Sequence, residues 1–239
     1  MSDGGESPTA PTGDRTTAED RPSPADRRSP EGWPVELCGV TESVVTTLGP
    51  NDLWNVAALG LHPPETPSDA DSADGTTPSD PTDSAAEPPV TARTWGNTRT
   101  RRNFHRQGGG YVQFVRDPVD FVDATLSIFE VEQPVLDSAD AWVAVEAEQV
   151  DSGVSGATRW EEWELTPRDG AVERETVPTV NRGFNSVVEA TVAASRLGVD
   201  AYDQTELQNR LAYFEDVGRT CGDDRVRAAF DRLRDHLAE

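Results

Sequence analysis

The chain has 239 residues and a formal net charge of -23, with 44 Asp and Glu against 21 basic residues, every one of them arginine. A charge of that size keeps a protein dispersed without dictating a fold, and it opposes nucleic acid as a partner. No run of about 18 apolar residues offers a membrane span, and the acidic, Pro-rich start lacks the apolar core of a signal peptide, so a cytoplasmic protein is expected.

The acidity extends into segments with folded patterning, such as "AWVAVEAEQV" and "ERE", so it does not belong to tails alone. Together with the absence of lysine, this points to a halophilic protein of a high-salt cytoplasm. Cys38 and Cys221 stand apart, without a CxxC or a His cluster. They suggest neither a disulfide framework nor a zinc site and read as small buried hydrophobes.

Residues 1–33 are Ser, Thr, Pro, Gly, Asp and Arg with almost nothing apolar, which predicts a disordered tail. "ESVVTTLGPNDLWNVAALGL" reads as two strands around the turn residues "GPND". The second strand carries Ala57, Ala58 and Gly60, small residues that allow close packing or a flat ligand against the sheet. Residues 62–89 repeat the composition of the tail and are expected to be an insertion in a surface loop, a tolerable one because closure entropy grows slowly with length.

"VTARTW" and "GGGYVQFV" predict a third and a fourth strand. "DPVDFVDATLSIF" predicts a helix with Asp117 as N-cap and Pro118 at its first position, with Val119, Val122, Leu126 and Phe129 on one face. "AWVAVEAEQV" alternates, with Ala141, Val143, Val145 and Ala147 on one side, and the following stretch reads as a hairpin turning at Asp169 and Gly170. These make a sheet of about six strands. The remainder reads as helices, with capping boxes at Ser186/Glu189 and Asp203/Glu206, stops at Gly198 and Gly218, and a final stripe of Val226, Phe230, Leu233 and Leu237.

The segment with the most chemistry lies between the third and fourth strands. From Pro88 to Arg116 there is no Asp or Glu, yet Arg93, Arg99, Arg101, Arg102 and Arg106 crowd together. A short helix starting at Asn97 or Thr98 would set three arginines in its first turn, where they oppose the helix dipole. A bound phosphate would reverse that penalty, held by backbone N–H groups, the Thr98 and Thr100 hydroxyls and an arginine. The competing reading pairs the arginines with carboxylates elsewhere, and on the residues alone the two stand level. Nucleic acid is disfavoured, because counterion release weakens such binding steeply in salt.

"ESVVTT", "NVAALG", "TRTRRNF", "DPVDFV" and "NRGFNSVVEATVAASRL" occur in this order from about Leu37 to the C-terminus. Together they resemble an archaeal family of uncharacterised function, the DUF447 type, related to flavin reductase-like flavoproteins. The resemblance implies an α+β, mainly β fold: an FMN-binding split β-barrel over residues 34–180, with C-terminal helices over 181–239 packed on it. It also implies a homodimer with FMN near the interface. Carried over, Asn97, Thr98, Arg99, Thr100 and Asn103 would meet the phosphate. Thr46, Thr47, Asn55, Ala57 and Ala58 would lie by the ring or ribityl chain, and Asn181, Arg182 and Asn185 resemble a segment that closes the pocket. Where family members often carry Pro and Met in the second strand, this chain has Ala58 and Leu59.

Flavin performs its own redox chemistry, so no triad need appear in such a sequence. An FMN-dependent oxidoreductase fed by a nicotinamide or another small donor, a flavin carrier or sensor, and a protein using its arginines for structure or another phospholigand all remain open. No GxGxxG follows a strand, so a nicotinamide would bind without a Rossmann unit. His62, His105 and His236 read as surface residues, and His105 alone lies near the phosphate helix.

Overall fold

The turn residues Gly49 to Asp52 reverse the chain between β1 (Thr41–Leu48) and β2 (Trp54–His62), which pair antiparallel along their whole length. Asp52 adopts a φ of 61°, the left-handed conformation that Asp tolerates in tight turns. The computed structural model describes residues 32–37, 39–63, 89–177 and 179–238. Most of the expected tail and insertion, and Cys38, lie outside them. Trp33, assigned above to the tail, packs against the barrel interior.

There follow β3 (Val90–Trp95), α1 (Arg99–Gln107), β4 (Gly109–Val115), α2 (Pro118–Leu126), β5 (Phe129–Val131), β6 (Ala139–Ser155) and β7 (Thr158–Val172). Hydrogen-bonded neighbours run β1-β4-β6-β7-β3-β2, and the β1–β2 ladder closes this order into a six-stranded antiparallel barrel. The seventh strand, β5, is added to the outer edge of β2. Alternation fills the interior: Ala141, Val143, Val145 and Ala147 of β6 all point inward, as expected, to join Val45, Leu61, Val112, Trp163 and Leu165. Closure is uneven. β2 and β3 pair only at Leu61–Ala92 and His62–Thr91 before diverging, and this split opens one side of the barrel.

The chain ends in α3 (Arg182–Ala194), α4 (Gln204–Cys221) and α5 (Asp224–Ala238). Val187, Ala190, Leu211, Val226, Phe230 and Leu233 pack with Val122 of α2 into a second core. Phe121 and Ala124 on α2 meet Val44 and Val56, which fastens the helices to the barrel wall. Each large side chain so buried contributes about 1.5–3 kcal/mol.

Several expectations need correction. Asp169 and Gly170 are not a turn: β7 runs straight through them, and the hairpin reverses at Gly156, whose φ is 60°. Pro167 pairs with Val145 and Asp169 with Ala144, so Arg168 is the extra residue of a bulge, which uses the same residue types as a turn. Ser186 is no cap. It lies inside α3, donating from Oγ to Gly183 O at 2.7 Å, and the cap is Asn181, which accepts from the Gly183 and Phe184 amides. Gly218 lies within α4, where a Cβ would come 2.0 Å from Phe230 Cε2, and the helix is capped by Gly222 instead. Phe129 leaves the helix to enter β5, Leu237 is 38 % exposed and Cys221 is exposed. His236 is buried at its side chain, with Nε2 2.7 Å from Asp123 Oδ1. The Asp117 and Asp203 caps are present, as is Pro118 at the start of α2.

Candidate functional site

Thr98 opens α1 from an extended conformation, its Oγ1 accepting the Arg101 amide at 3.3 Å, and Gly108 closes it at a φ of 70°. At about 100° per residue, nine residues give this helix four distinct sides. Thr100 and Phe104 turn inward and are buried, with Phe104 tilted against Trp163 at a centroid distance of 5.1 Å. Asn103 lies on one flank and donates from Nδ2 to Thr47 Oγ1 at 2.9 Å and to Thr47 O at 3.3 Å. Arg101 and His105 lie on the other flank. Arg102 faces solvent.

The arginine segment divides between the two readings left open by the sequence. Arg93 pairs with Glu162 at 3.1 Å and stacks over Trp160, Arg99 pairs with Glu130 at 2.6 Å, and Arg101 pairs with Glu161 at 2.7 Å. Arg106 donates to Asn103 Oδ1 and Leu48 O. In this segment the Arg102 guanidinium alone has no partner among the described residues.

Beside it lies a cleft of about 520 Å³, inside the range of about 300–1,000 Å³ typical of small-molecule sites. It occupies the split between β2 and β3. Between Val56, which pairs with β5, and Leu61, which pairs with β3, the outer edge of β2 has no ladder partner among the described residues. Along Ala57, Ala58 and Leu59, which line the cleft, the main-chain groups that point away from β1 are therefore free to face it, and the alanines leave them accessible. The other wall is the first turn of α1, whose leading amides have no acceptor within the helix. Among the described residues Arg93, Arg99 and Arg102 line this cleft and no Asp or Glu does, in a chain of charge -23. Trp95 and Ile128, 48 % and 70 % exposed, stand at its mouth.

Of the residues singled out from sequence, Asn55, Ala57, Ala58, Asn97, Thr98, Arg99 and Thr100 line this cleft. Thr46, Thr47 and Asn103 are buried and bond internally, Thr46 Oγ1 accepting from Gln113 Nε2 at 3.1 Å. Asn181 and Asn185 line a different cleft, with Arg116, Asp117 and Arg225, that shares no residue with the first, and Arg182 lines neither. Among the described residues no cluster of His, Cys, Asp or Glu suits a metal ion, and no helix is long and apolar enough to cross a membrane.

Residues 81–174 match the family described as "Protein of unknown function (DUF447) N-terminal domain", and residues 181–235 match "Protein of unknown function (DUF447)". The chain belongs to the DUF447 family. Its fold is similar to that of an FMN-bound protein of that family from Methanosarcina mazei, at 22% identity over 83% of this chain and 95% of that one, with a TM-score of 0.63. More distant is the styrene monooxygenase flavin reductase of Pseudomonas putida S12, at 10% identity over 59% of this chain and 93% of that one, with a TM-score of 0.33. The flavin reductase HpaC, solved with NADP+, stands at 13% identity over 58% and 81% of the two chains, with a TM-score of 0.30. No curated protein matches.

Sequence reasoning missed Glu161. It is 1 % exposed and meets Arg101 Nε and His105 Nε2, each at 2.7 Å, with Arg159 Nε at 3.6 Å. The signal was available, since Glu161 shares the inward parity of Trp163 and Leu165 in an alternating strand. The Arg101 guanidinium beside it, helped by His105, holds its carboxyl below the ordinary value of 4.5 against the opposing effect of burial. A depressed folded-state pKa contributes stability above the unfolded value and loses it as pH falls through the folded one. The thermal midpoint of the wild type is therefore expected to fall toward that of Glu161→Gln in acid and to exceed it above about pH 4.5. A gap between the two curves that stays constant with pH would contradict this.

Proposed function

We propose that this DUF447 protein is an FMN-binding flavoprotein, and that the flavin occupies the cleft between β2 and α1. One observation carries the reading: among the described residues three arginines and no carboxylate line a cleft whose other wall is an unpaired strand edge. A phosphate at the first turn of α1 would satisfy Arg102, the leading amides and the helix dipole together. The edge of β2 offers alternating donors and acceptors to the polar rim of a flat ring, and Ala57 and Ala58 give that ring room. The likeness to an FMN-bound member of the family supports the same ligand.

FMN, when bound, would supply hydride and electron transfer. The chain's own residues would bind and orient it, with Arg102 and Arg99 drawing the phosphate to one end and β2 fixing the ring at the other. On this reading the protein is an oxidoreductase that takes reducing equivalents from a nicotinamide or a similar small donor. It works as a homodimer, which would cover Trp95 and Ile128 at the cleft mouth.

The test is the visible spectrum of the protein purified in concentrated salt, followed by titration with FMN and mass spectrometry of any released chromophore. Flavin absorbance at about one FMN per chain, with bleaching by a reduced nicotinamide under anaerobic conditions, is the expected result. A colourless protein that takes up no added FMN would refute the assignment.

A further inference from the structure

The cleft has two walls with separate supports. The β2 wall is fixed by its ladder with β1, from Thr41–Leu61 to Leu48–Trp54. The α1 wall is a nine-residue helix that is strapped down from its two flanks and from below. Phe104 anchors it beneath, and Asn103 ties one flank to Thr47. On the opposite flank Arg101 and His105, four residues apart and therefore stacked on one side, close on a single carboxylate, Glu161.

Glu161 lines no part of the cleft, yet it is the most deeply buried carboxylate among the described residues. A buried charge is retained only when it is paired and hydrogen-bonded, and of the three side chains that meet Glu161 two belong to α1. His105 also meets Trp163 in an edge-type contact with ring centroids 4.9 Å apart, a second attachment on the same flank. Asn103 on one flank and Glu161 on the other fix the roll of the helix about its axis. That roll decides the direction in which Arg99 and Arg102 leave it.

We propose that Glu161 is a positioning residue for the anion end of the cleft, acting through Arg101 and His105 to aim the first turn of α1. The proposal rests on the flavin reading and adds a division of labour to it: Glu161 governs the grip on the phosphate and leaves the grip on the ring to β2. Direct electrostatics predicts the opposite sign. Removing a negative charge near the cleft would strengthen attraction for a phosphate, whereas removing an aligning strap weakens it.

The experiment compares FMN with riboflavin, which lacks the phosphate, by fluorescence titration of the wild type, Glu161→Gln and His105→Gln at one salt concentration. His105→Gln, at a side chain 45% exposed, keeps the test decisive if Glu161→Gln does not fold. The expected result is FMN affinity about tenfold lower in each folded variant, with riboflavin affinity within about twofold of the wild type. A parallel loss of both flavins would reduce Glu161 to general support and overturn the proposal, as would unchanged or tighter FMN binding. If the wild type binds neither flavin, the flavin reading fails first and the proposal falls with it. Wild-type binding with an unaltered FMN-to-riboflavin ratio in the variants refutes the positioning role alone.

Discussion

Trp163→Ala should lower the stability of the barrel by about 3–5 kcal/mol, the usual range for emptying a large aromatic site. The side chain is 2 % exposed, and its indole N–H donates to Thr94 Oγ1 at 2.9 Å. It also underlies α1 through Phe104 and His105. Alanine would leave both a cavity and a hydroxyl without its donor, two penalties that combine. For a chain of this size the thermal midpoint should drop by on the order of 10 °C. Trp163→Phe separates the terms, since it keeps most of the ring and removes only the donor, for about 1–2 kcal/mol. A Trp163→Ala midpoint within about 3 °C of the wild type would show that the barrel does not depend on this contact.

The same residue shows what could be read from the sequence and what could not. Burial alternates strictly along "WEEWEL", but Trp160 and Trp163 fall on opposite parities in the sequence, so parity alone does not say which face is inward. Trp163 and Leu165 decide that face, and they carry Glu161 inside with them. Only the tertiary fold reveals the compensation, because Arg101 and His105 reach Glu161 from a helix about sixty residues earlier in the chain. Local chemistry was most legible where it acts within one turn. Asp117 before Pro118, Asp203 before α4 and Thr98 before α1 all cap as their side chains suggest.

It misled where one residue type serves two purposes. Asp169 and Gly170 have turn chemistry, yet a Cβ on Gly170 would come 2.9 Å from Trp142 O, so the glycine is there for the close approach of two strands at a bulge. Gly218 reads as a helix stop, but it is small because Phe230 and Ser186 press against α4. The cleft was legible in part. The small residues of β2 and the helix start were visible in the chain, while the gap that joins them depends on where β3 leaves β2.

Replacing Arg99 and Arg102 together by Ala should weaken FMN binding by about 100-fold while leaving the thermal midpoint within about 2 °C of the wild type. The two halves of that expectation have different sources. The stability half follows from exposure: the Arg102 side chain has no partner among the described residues to lose, and Arg99, 39% exposed at its side chain, forms with Glu130 an ion pair worth at most about 1 kcal/mol. The binding half follows from charge-assisted hydrogen bonds, each about 1.5–3 kcal/mol, of which two lost in part give about 100-fold. The single variants should differ. Glu130 competes with the ligand for Arg99, so Arg102→Ala should account for the larger share. Salt then separates contact from field, because at 1 M the Debye length is about 3 Å and only groups touching the phosphate retain their effect. A loss of FMN affinity that persists from low to molar salt places both guanidinium groups on the ligand, whereas a loss that disappears in molar salt would mean that they attract it from a distance and that the phosphate is held elsewhere.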